Sequence, residues 1–449
     1  FRFGGGFGGG GGGGVAAESA AASTAERREA AADVADATGE CADPGPDGTC
    51  SASTPVIDED EIAYPVGSGW TEGYYAPFVL SSDGPSTAAT LLPNGGGGDG
   101  ESVSFETEAD FRALGRLYND LGQIVPSRRH FPNGGTLYRG PSRPGTHFVW
   151  PSLKVGTRRA VPGLTGGDGR PVEIETLTEP GGADADPRVF YVHNFLSKEE
   201  TENLIDFATS PENPYRMARS TAGSHKSWNQ EGGRDSVSTT RTSMNAFDMQ
   251  TPTSARVKRR GFRLLRMGAY DESLADGIQV LRYEPGQAYV AHHDYFPARQ
   301  SDDHGWDPQN GGSNRFATIF LYLSDVEAGG QTVFPNSDRL SNDTNADLVE
   351  RLSAMSPSRQ ELDAMVRDAS IRRNSWEADL VRKCHAKFAV PPRRGDAILF
   401  YSQTPEGRLD PTSLHGACPV LRGTKWGANL WVWNACRYSM CGGEALNPA

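Results

Sequence analysis

The sequence contains no C-x-x-C pair, no internal repeat, no apolar run approaching the roughly 18 residues of a membrane helix, and only three basic side chains among its first 110 residues. Each absence removes a class of function. Without C-x-x-C spacing, a zinc ribbon or a thioredoxin-type redox motif is not expected. The longest apolar runs, such as Phe316 to Leu323, are strand-sized, so no transmembrane segment is expected in the chain as given. It starts at Phe1 rather than Met, as a fragment or a processed form would, and a signal peptide or membrane anchor ahead of that point stays open. The same 110 residues carry nineteen acidic side chains, more than the whole net charge of −13, so the remainder is weakly basic and no large nucleic-acid footprint is expected. Only 37% of the 449 residues are hydrophobic and 54 are glycine, which predicts that part of the chain does not pack.

Residues 1 to 61 are that part. Ten of the first fourteen residues are glycine, Ala, Glu, Asp and Ser follow, and the run Asp58-Glu59-Asp60-Glu61 reads as solvated. Residues 62 to 186 bring in aromatics, including Phe105, Phe111, Tyr118, Phe148 and Trp150, and form an N-terminal extension of uncertain fold. Within it Phe111, Leu114, Leu117 and Leu121 have the spacing of one helix face. From Arg188 the texture is that of a compact domain: a strand at Arg188 to Val192, then Ser197-x-x-Glu200 as a capping box opening a helix. A second helix is expected over Ala255 to Met267, with Arg256, Lys258, Arg259, Arg260, Arg263 and Arg266 as a solvated face rather than a nucleic-acid stripe, since no aromatics interleave with the charges. After Gly277 come short β-branched or aromatic segments at Ile278 to Tyr283, Gln287 to His292, Phe316 to Leu323, Gln331 to Phe334, Ala397 to Ser402 and Lys425 to Trp433, parted by turn residues. That pattern favours an antiparallel jelly-roll over alternating β-α units. Helical, charged sequence at about 337 to 383 interrupts it and reads as an insertion between two core strands; residues 437 to 449 read as a tail.

Six cysteines (Cys41, Cys50, Cys384, Cys418, Cys436 and Cys441) form an even set that fits disulfides in an oxidising compartment. The glycosylation sequon Asn342-Asp343-Thr344 agrees with a secretory route, although such triplets are common by chance.

Of nine histidines, His130, His147, His193, His225, His304 and His385 have no partner at ligand spacing and read as ordinary. His292-His293-Asp294 follows the strand-like Tyr289-Val290-Ala291, and alternation along a strand puts His292 and Asp294 on one face with His293 turned away. A His-x-Asp alone is a weak signal. His415, just before another strand, supplies a third ligand, and two histidines with one carboxylate leave metal positions open, as non-haem iron(II) oxygenases require. Lys425 has no packing reason to stand in an apolar strand and can hold a carboxylate by a charge-assisted bond. Tyr283 and Trp431 can equally be strand core.

At these residues the sequence resembles a known family. Leu281-Arg282-Tyr283-Glu284-Pro285-Gly286-Gln287-Ala288-Tyr289, His292-His293-Asp294-Tyr295-Phe296, Arg315 to Val326, Gly329-Gly330-Gln331-Thr332-Val333-Phe334-Pro335, Gly395 to Phe400 and Ser413 to Val420 are similar, in order, to the iron(II)- and 2-oxoglutarate-dependent prolyl 4-hydroxylases. The resemblance covers about residues 187 to 436. It implies a mainly β fold with supporting helices (α+β) and a double-stranded β-helix core. It implies His292, Asp294 and His415 as catalytic iron ligands, Lys425 as the catalytic and cosubstrate-binding partner of the distal carboxylate of 2-oxoglutarate, and Tyr283 and Thr318 as its hydrogen-bonding neighbours. Tyr289, Arg241, Ser243, Arg315 and Trp431 match substrate-binding positions, Arg241-Thr242-Ser243 in a segment that is a mobile loop in the family. The activity implied is 4-hydroxylation of proline in a proline-rich peptide or protein, using oxygen and ascorbate and turning 2-oxoglutarate into succinate and carbon dioxide, in the endoplasmic reticulum or secretory pathway. Asp294 in the ligand set disfavours halogenation. The resemblance also implies a disulfide between Cys384 and Cys418. The sequence departs from the family in Ala291, where a proline is common, and in the length of the segment at 337 to 383. The alternatives are the same chemistry on peptidyl lysine or a small molecule, and a non-catalytic binding module for Pro-rich chains.

Overall fold

The computed structural model describes residues 84–96, 99–179, 186–220, 240–249, 251–300, 304–340, 346–353 and 357–437. The segment expected to be disordered at 1 to 61 and the sequon at 342 to 344 lie outside them.

Strands β1 (Ala88–Leu92), β2 (Glu101–Ser104), β3 (Leu117–Tyr118) and β4 (Thr136–Arg139) form a small sheet in the order β2-β1-β4-β3, over a core of Phe105, Phe111, Leu117, Phe131 and Leu137. The helix expected from Phe111 to Leu121 is shorter and earlier, Glu108–Ala113, and Leu117 belongs to β3. Thr107 and Asp110 cap its start. Gly115, at φ +89, stops it, because a backbone in the left-handed region cannot continue a right-handed helix. The apolar spacing spans a short helix and a short strand that share one core.

The remaining strands are β5 (Arg158–Thr165), β6 (Pro171–Thr176), β7 (Val189–His193), β8 (Ala218–Arg219), β9 (Met244–Asp248), β10 (Ile278–Tyr283), β11 (Tyr289–His292), β12 (Arg315–Tyr322), β13 (Ala328–Gly329), β14 (Thr332–Asp338), β15 (Lys387–Val390), β16 (Ala397–Tyr401), β17 (His415–Ala417), β18 (Val420–Arg422) and β19 (Lys425–Trp433). Nine of them make an antiparallel major sheet, β5-β6-β7-β16-β12-β19-β10-β9-β8, and four make a minor sheet, β11-β17-β14-β15. The major sheet continues upstream of Arg188 through β6 and β5.

Period-two alternation divides the major sheet between two cores. Ala317, Ile319, Leu321, Leu399, Ala428, Leu430 and Val432 pack on Leu204, Val257 and Phe262, from the helices Lys198–Thr209 and Pro252–Leu264. The alternate residues, Leu281, Tyr283, Phe320, Tyr322, Ile398 and Phe400, meet Phe334, Phe388, Val390 and Ala417 of the minor sheet. This is the expected architecture: mainly β with supporting helices around a double-stranded β-helix.

The capping box forms as predicted, with Ser197 accepting from the Glu200 amide and the Glu200 carboxylate reaching back to the Ser197 amide. The basic face of the second helix stays solvated at Arg256, Arg259 and Arg263 but not at its other three cations. Lys258 is buried and donates to Glu272 and the Met249 carbonyl, Arg260 grips both oxygens of Glu200, and Arg266 is buried over the Trp150 ring. The helix lies between the sheet, its neighbouring helix and the upstream chain, so these cations find carboxylates and carbonyls instead of water.

Between β14 and β15, which pair with each other, stand the helices Ala346–Ser353, Arg359–Asp368 and Trp376–Ala386. Leu380 and Cys384 of the last cover Ala288, Val333 and Cys418 on the back of the minor sheet. Ala369 and Ile371 pack on Ala328 and Leu421. The Ala369 carbonyl comes so close to Gly286, at φ +81, that a Cβ there would lie 2.5 Å from it.

Candidate metal centre and active-site mouth

His292 ends β11, Asp294 follows two residues later, and His415 opens β17 directly across the ladder from His292. A ligand-capable atom of each lies within 4.8 Å of the others. Both imidazole Nε2 atoms stand 3.6 Å from a carboxylate oxygen of Asp294, His292 from Oδ1 and His415 from Oδ2. Their Nδ1 atoms are engaged at 2.9 Å by the backbone carbonyls of Val290 and Ser413. A carbonyl only accepts, so each ring carries its proton on Nδ1 and turns the lone pair of Nε2 inward. His293 points the other way, to the Pro411 carbonyl at 3.0 Å.

Burial alone would raise the pKa of Asp294, but His415, His292 and Arg315 hold it far below the usual carboxylate range. Burial pushes His415 down to about 4 against the pull of Asp294. The two inward-turned Nε2 atoms and the buried carboxylate thus aim three lone-pair donors at one point, a donor set that fits a divalent transition metal. Among the described residues no other group of three such side chains converges. Thr318 donates to Asp294 Oδ2 at 2.7 Å and fixes the carboxylate. Its one proton is therefore directed at Asp294.

Lys425 starts β19 fully buried, and its Nζ has no hydrogen-bond partner among the described residues. Its nearest charge-stabilising neighbours are ring faces, with Nζ 5.0 Å from the Phe320 centroid, 5.6 Å from Tyr283 and 5.9 Å from Tyr322. Burial alone pushes its pKa down to about 7. An unpaired ammonium group in an apolar chamber is costly unless an anion joins it, and the fit to a carboxylate of 2-oxoglutarate is direct. Tyr283, on the ladder opposite Lys425, is buried with its pKa raised by burial, and it hydrogen-bonds Ser243.

The five residues expected to bind substrate fall into two groups. Tyr289 stacks on the His292 ring at 3.8 Å between centroids, with the Arg241 guanidinium 4.8 Å from its own centroid. Arg241 is buried, bridges to Tyr289 through the backbone and donates to Gln279 at 3.1 Å. Ser243 is buried against Ser220. These two are thus anchored; the preceding segment, 221–239, is outside the described residues. On the other side Arg315 lies 3.6 Å over the Trp431 ring, donates to the Asp294 backbone carbonyl at 3.2 Å, and pairs with Asp276 at 3.0 Å. The Trp431 indole N–H is buried without a partner.

The 2OG-Fe(II) oxygenase superfamily model matches residues 278–433, the stretch that holds all three ligands and Lys425. Probable prolyl 4-hydroxylase 3 of Arabidopsis thaliana is 36% identical over 248 residues, 55% of this chain and 69% of the relative. Probable prolyl 4-hydroxylase 10 of the same plant is 34% identical over the same shares. The chain belongs to the prolyl 4-hydroxylase family of iron(II)/2-oxoglutarate oxygenases. A solved viral collagen prolyl hydroxylase from Paramecium Bursaria Chlorella virus-1, in complex with 2OG, is 20% identical over 55% of this chain and 95% of its own; at a TM-score of 0.31 that overlay is too loose to carry an argument.

Two features of this family member were not anticipated. Gln279 accepts from both Arg241 and Asn429, tying the mouth to β19. Alternation from Tyr283 and Leu281 places Gln279 on the same inward face, so a polar residue there was a usable signal. Asp276 lies in a loop with no periodicity to flag it. The Cys384–Cys418 disulfide is present and fastens the last inserted helix to the strand region after His415.

Proposed function

We propose that the chain hydroxylates peptidyl proline at the 4-position and couples this to decarboxylation of 2-oxoglutarate to succinate and carbon dioxide. The observation that carries the reading is the partnerless, buried Lys425 ammonium behind the His292, Asp294 and His415 donor set. In this reading those three residues hold iron(II), and the bound metal supplies the oxidising chemistry with oxygen and 2-oxoglutarate. Lys425 anchors the distal carboxylate, with Tyr283 beside it. Thr318 keeps Asp294 oriented. Tyr289, Arg241, Ser243, Arg315 and Trp431 line the path of a proline-containing peptide, and ring faces with arginine donors suit a polyproline II chain whose carbonyls lack internal partners. Ascorbate would support turnover.

The relatives' names support proline as the target, and the buried disulfide supports a place in the secretory pathway. The region from 187 to 436 is taken as the catalytic domain, with 337 to 383 as its insertion. The test is succinate formation from 2-oxoglutarate with iron(II) and ascorbate, with and without a polyproline peptide. Peptide should stimulate turnover, and His415→Ala should abolish it. Iron and 2-oxoglutarate bound without turnover on any proline peptide, but with turnover on a lysine-containing one, would move the substrate.

A further inference from the structure

We infer that Arg437 is a positioning residue for Arg315, acting through Asp276, and that it sets the affinity for the peptide; this rests on the peptide-hydroxylating reading above. Asp276 stands just ahead of β10, with its amide donating to the Trp431 carbonyl at 3.1 Å. Its Oδ2 accepts from Arg315 Nε at 3.1 Å, Arg315 Nη2 at 3.0 Å and Trp433 Nε1 at 3.2 Å. Its Oδ1 accepts from Arg437 Nη1 at 2.9 Å. The Arg437 amide in turn donates to the Ser273 carbonyl at 3.0 Å, so the arginine is fixed at its backbone as well.

One carboxylate therefore serves two guanidinium groups, and the trio keeps a net positive charge. The Arg315 guanidinium lies flat against Trp431 and touches the backbone of the ligand Asp294. Removing Arg437 would have two effects. Asp276 would lose its donor on Oδ1 and be held through Oδ2 alone, and it would neutralise Arg315 alone. The mouth would then have a looser and electrically weaker donor for peptide carbonyl oxygens. Arg437 lies beyond the residues that match the family model and was read from the sequence as tail.

The experiment compares the unaltered chain with Arg437→Ala, Arg437→Gln and Arg437→Lys for peptide KM, 2-oxoglutarate KM and kcat, with melting temperatures alongside. Arg437→Ala and Arg437→Gln should raise the peptide KM about tenfold, the scale of one lost charge-assisted bond. They should leave kcat and the 2-oxoglutarate KM within about twofold, and Arg437→Lys should recover most of the loss. The glutamine variant keeps the comparison decidable if the alanine variant does not fold. A peptide KM that does not move, or a fall in kcat shared by all three variants, overturns the inference alone. No peptide turnover by the unaltered chain overturns the proposed function and this inference with it.

Discussion

A buried lysine without a hydrogen-bond partner among the described residues leaves a thermodynamic trace. Below about pH 7 Lys425 is charged in both folded and unfolded chains. Between there and its ordinary value near 10.4 the unfolded chain holds one more proton, so this residue's contribution to stability rises with pH across that window. Lys425→Met should therefore raise the melting temperature of the metal-free protein by a few degrees at pH 7, the equivalent of about 1–3 kcal/mol, and the gain should shrink toward pH 10. The same variant should no longer retain 2-oxoglutarate. At pH 8 the unaltered protein should take up a proton on binding it, read by calorimetry in buffers of different ionisation enthalpy. Thr318→Val should weaken metal affinity about tenfold or more, measured by direct titration, because Asp294 loses the hydroxyl donor that orients its carboxylate. At this scale the sequence was informative where spacing carries meaning. His292-x-Asp294 and Lys425 in an apolar strand are visible because alternation predicts which way they face. Asp276 and Arg437 were not visible, because their partners come from loops that no local pattern joins.

Elements bounded by strong turn residues were the easiest to read. Ile278 to Tyr283 and Lys425 to Trp433 match β10 and β19 to the residue, because glycine or threonine precedes each and both runs are rich in β-branched or aromatic side chains. Reading failed where one apolar period crossed two elements, as at Phe111 to Leu121, and where charge was equated with exposure, as at Lys258 and Arg260. The inserted helices were legible as helical, but the sequence left open whether they cap the groove. The last of them covers the back of the minor sheet, Ala369 and Ile371 pack on Ala328 and Leu421, and Leu348 joins the core between the two sheets. That role makes the Cys384–Cys418 bond matter beyond its own loop, which closes 34 residues. Cys384→Ser with Cys418→Ser should cost about 2–4 kcal/mol in denaturant unfolding. Because Cys418 stands three residues from His415, metal affinity should fall along with stability.

For the molecule as a whole, the upstream strands β5 and β6 extend the major sheet that carries Lys425, and Trp150 joins the core on its helix-covered face. Trp150 has no exposed surface, donates to the Leu264 carbonyl at 2.8 Å, and lies between the guanidinium groups of Arg159 and Arg266. Trp150→Ala should destabilise the protein by about 3–5 kcal/mol in equilibrium unfolding, with no contact to the metal lost. The order of strands has a further consequence for how the protein is made. The last strand described, β19, is inserted at the centre of the major sheet, between β12 and β10. During synthesis both neighbours wait with open edges until residue 433 has been added, and open edges invite pairing with other chains. The strand that closes the gap also delivers Lys425 and Trp431, so a nascent chain has neither a finished sheet nor that buried ammonium group until the same moment.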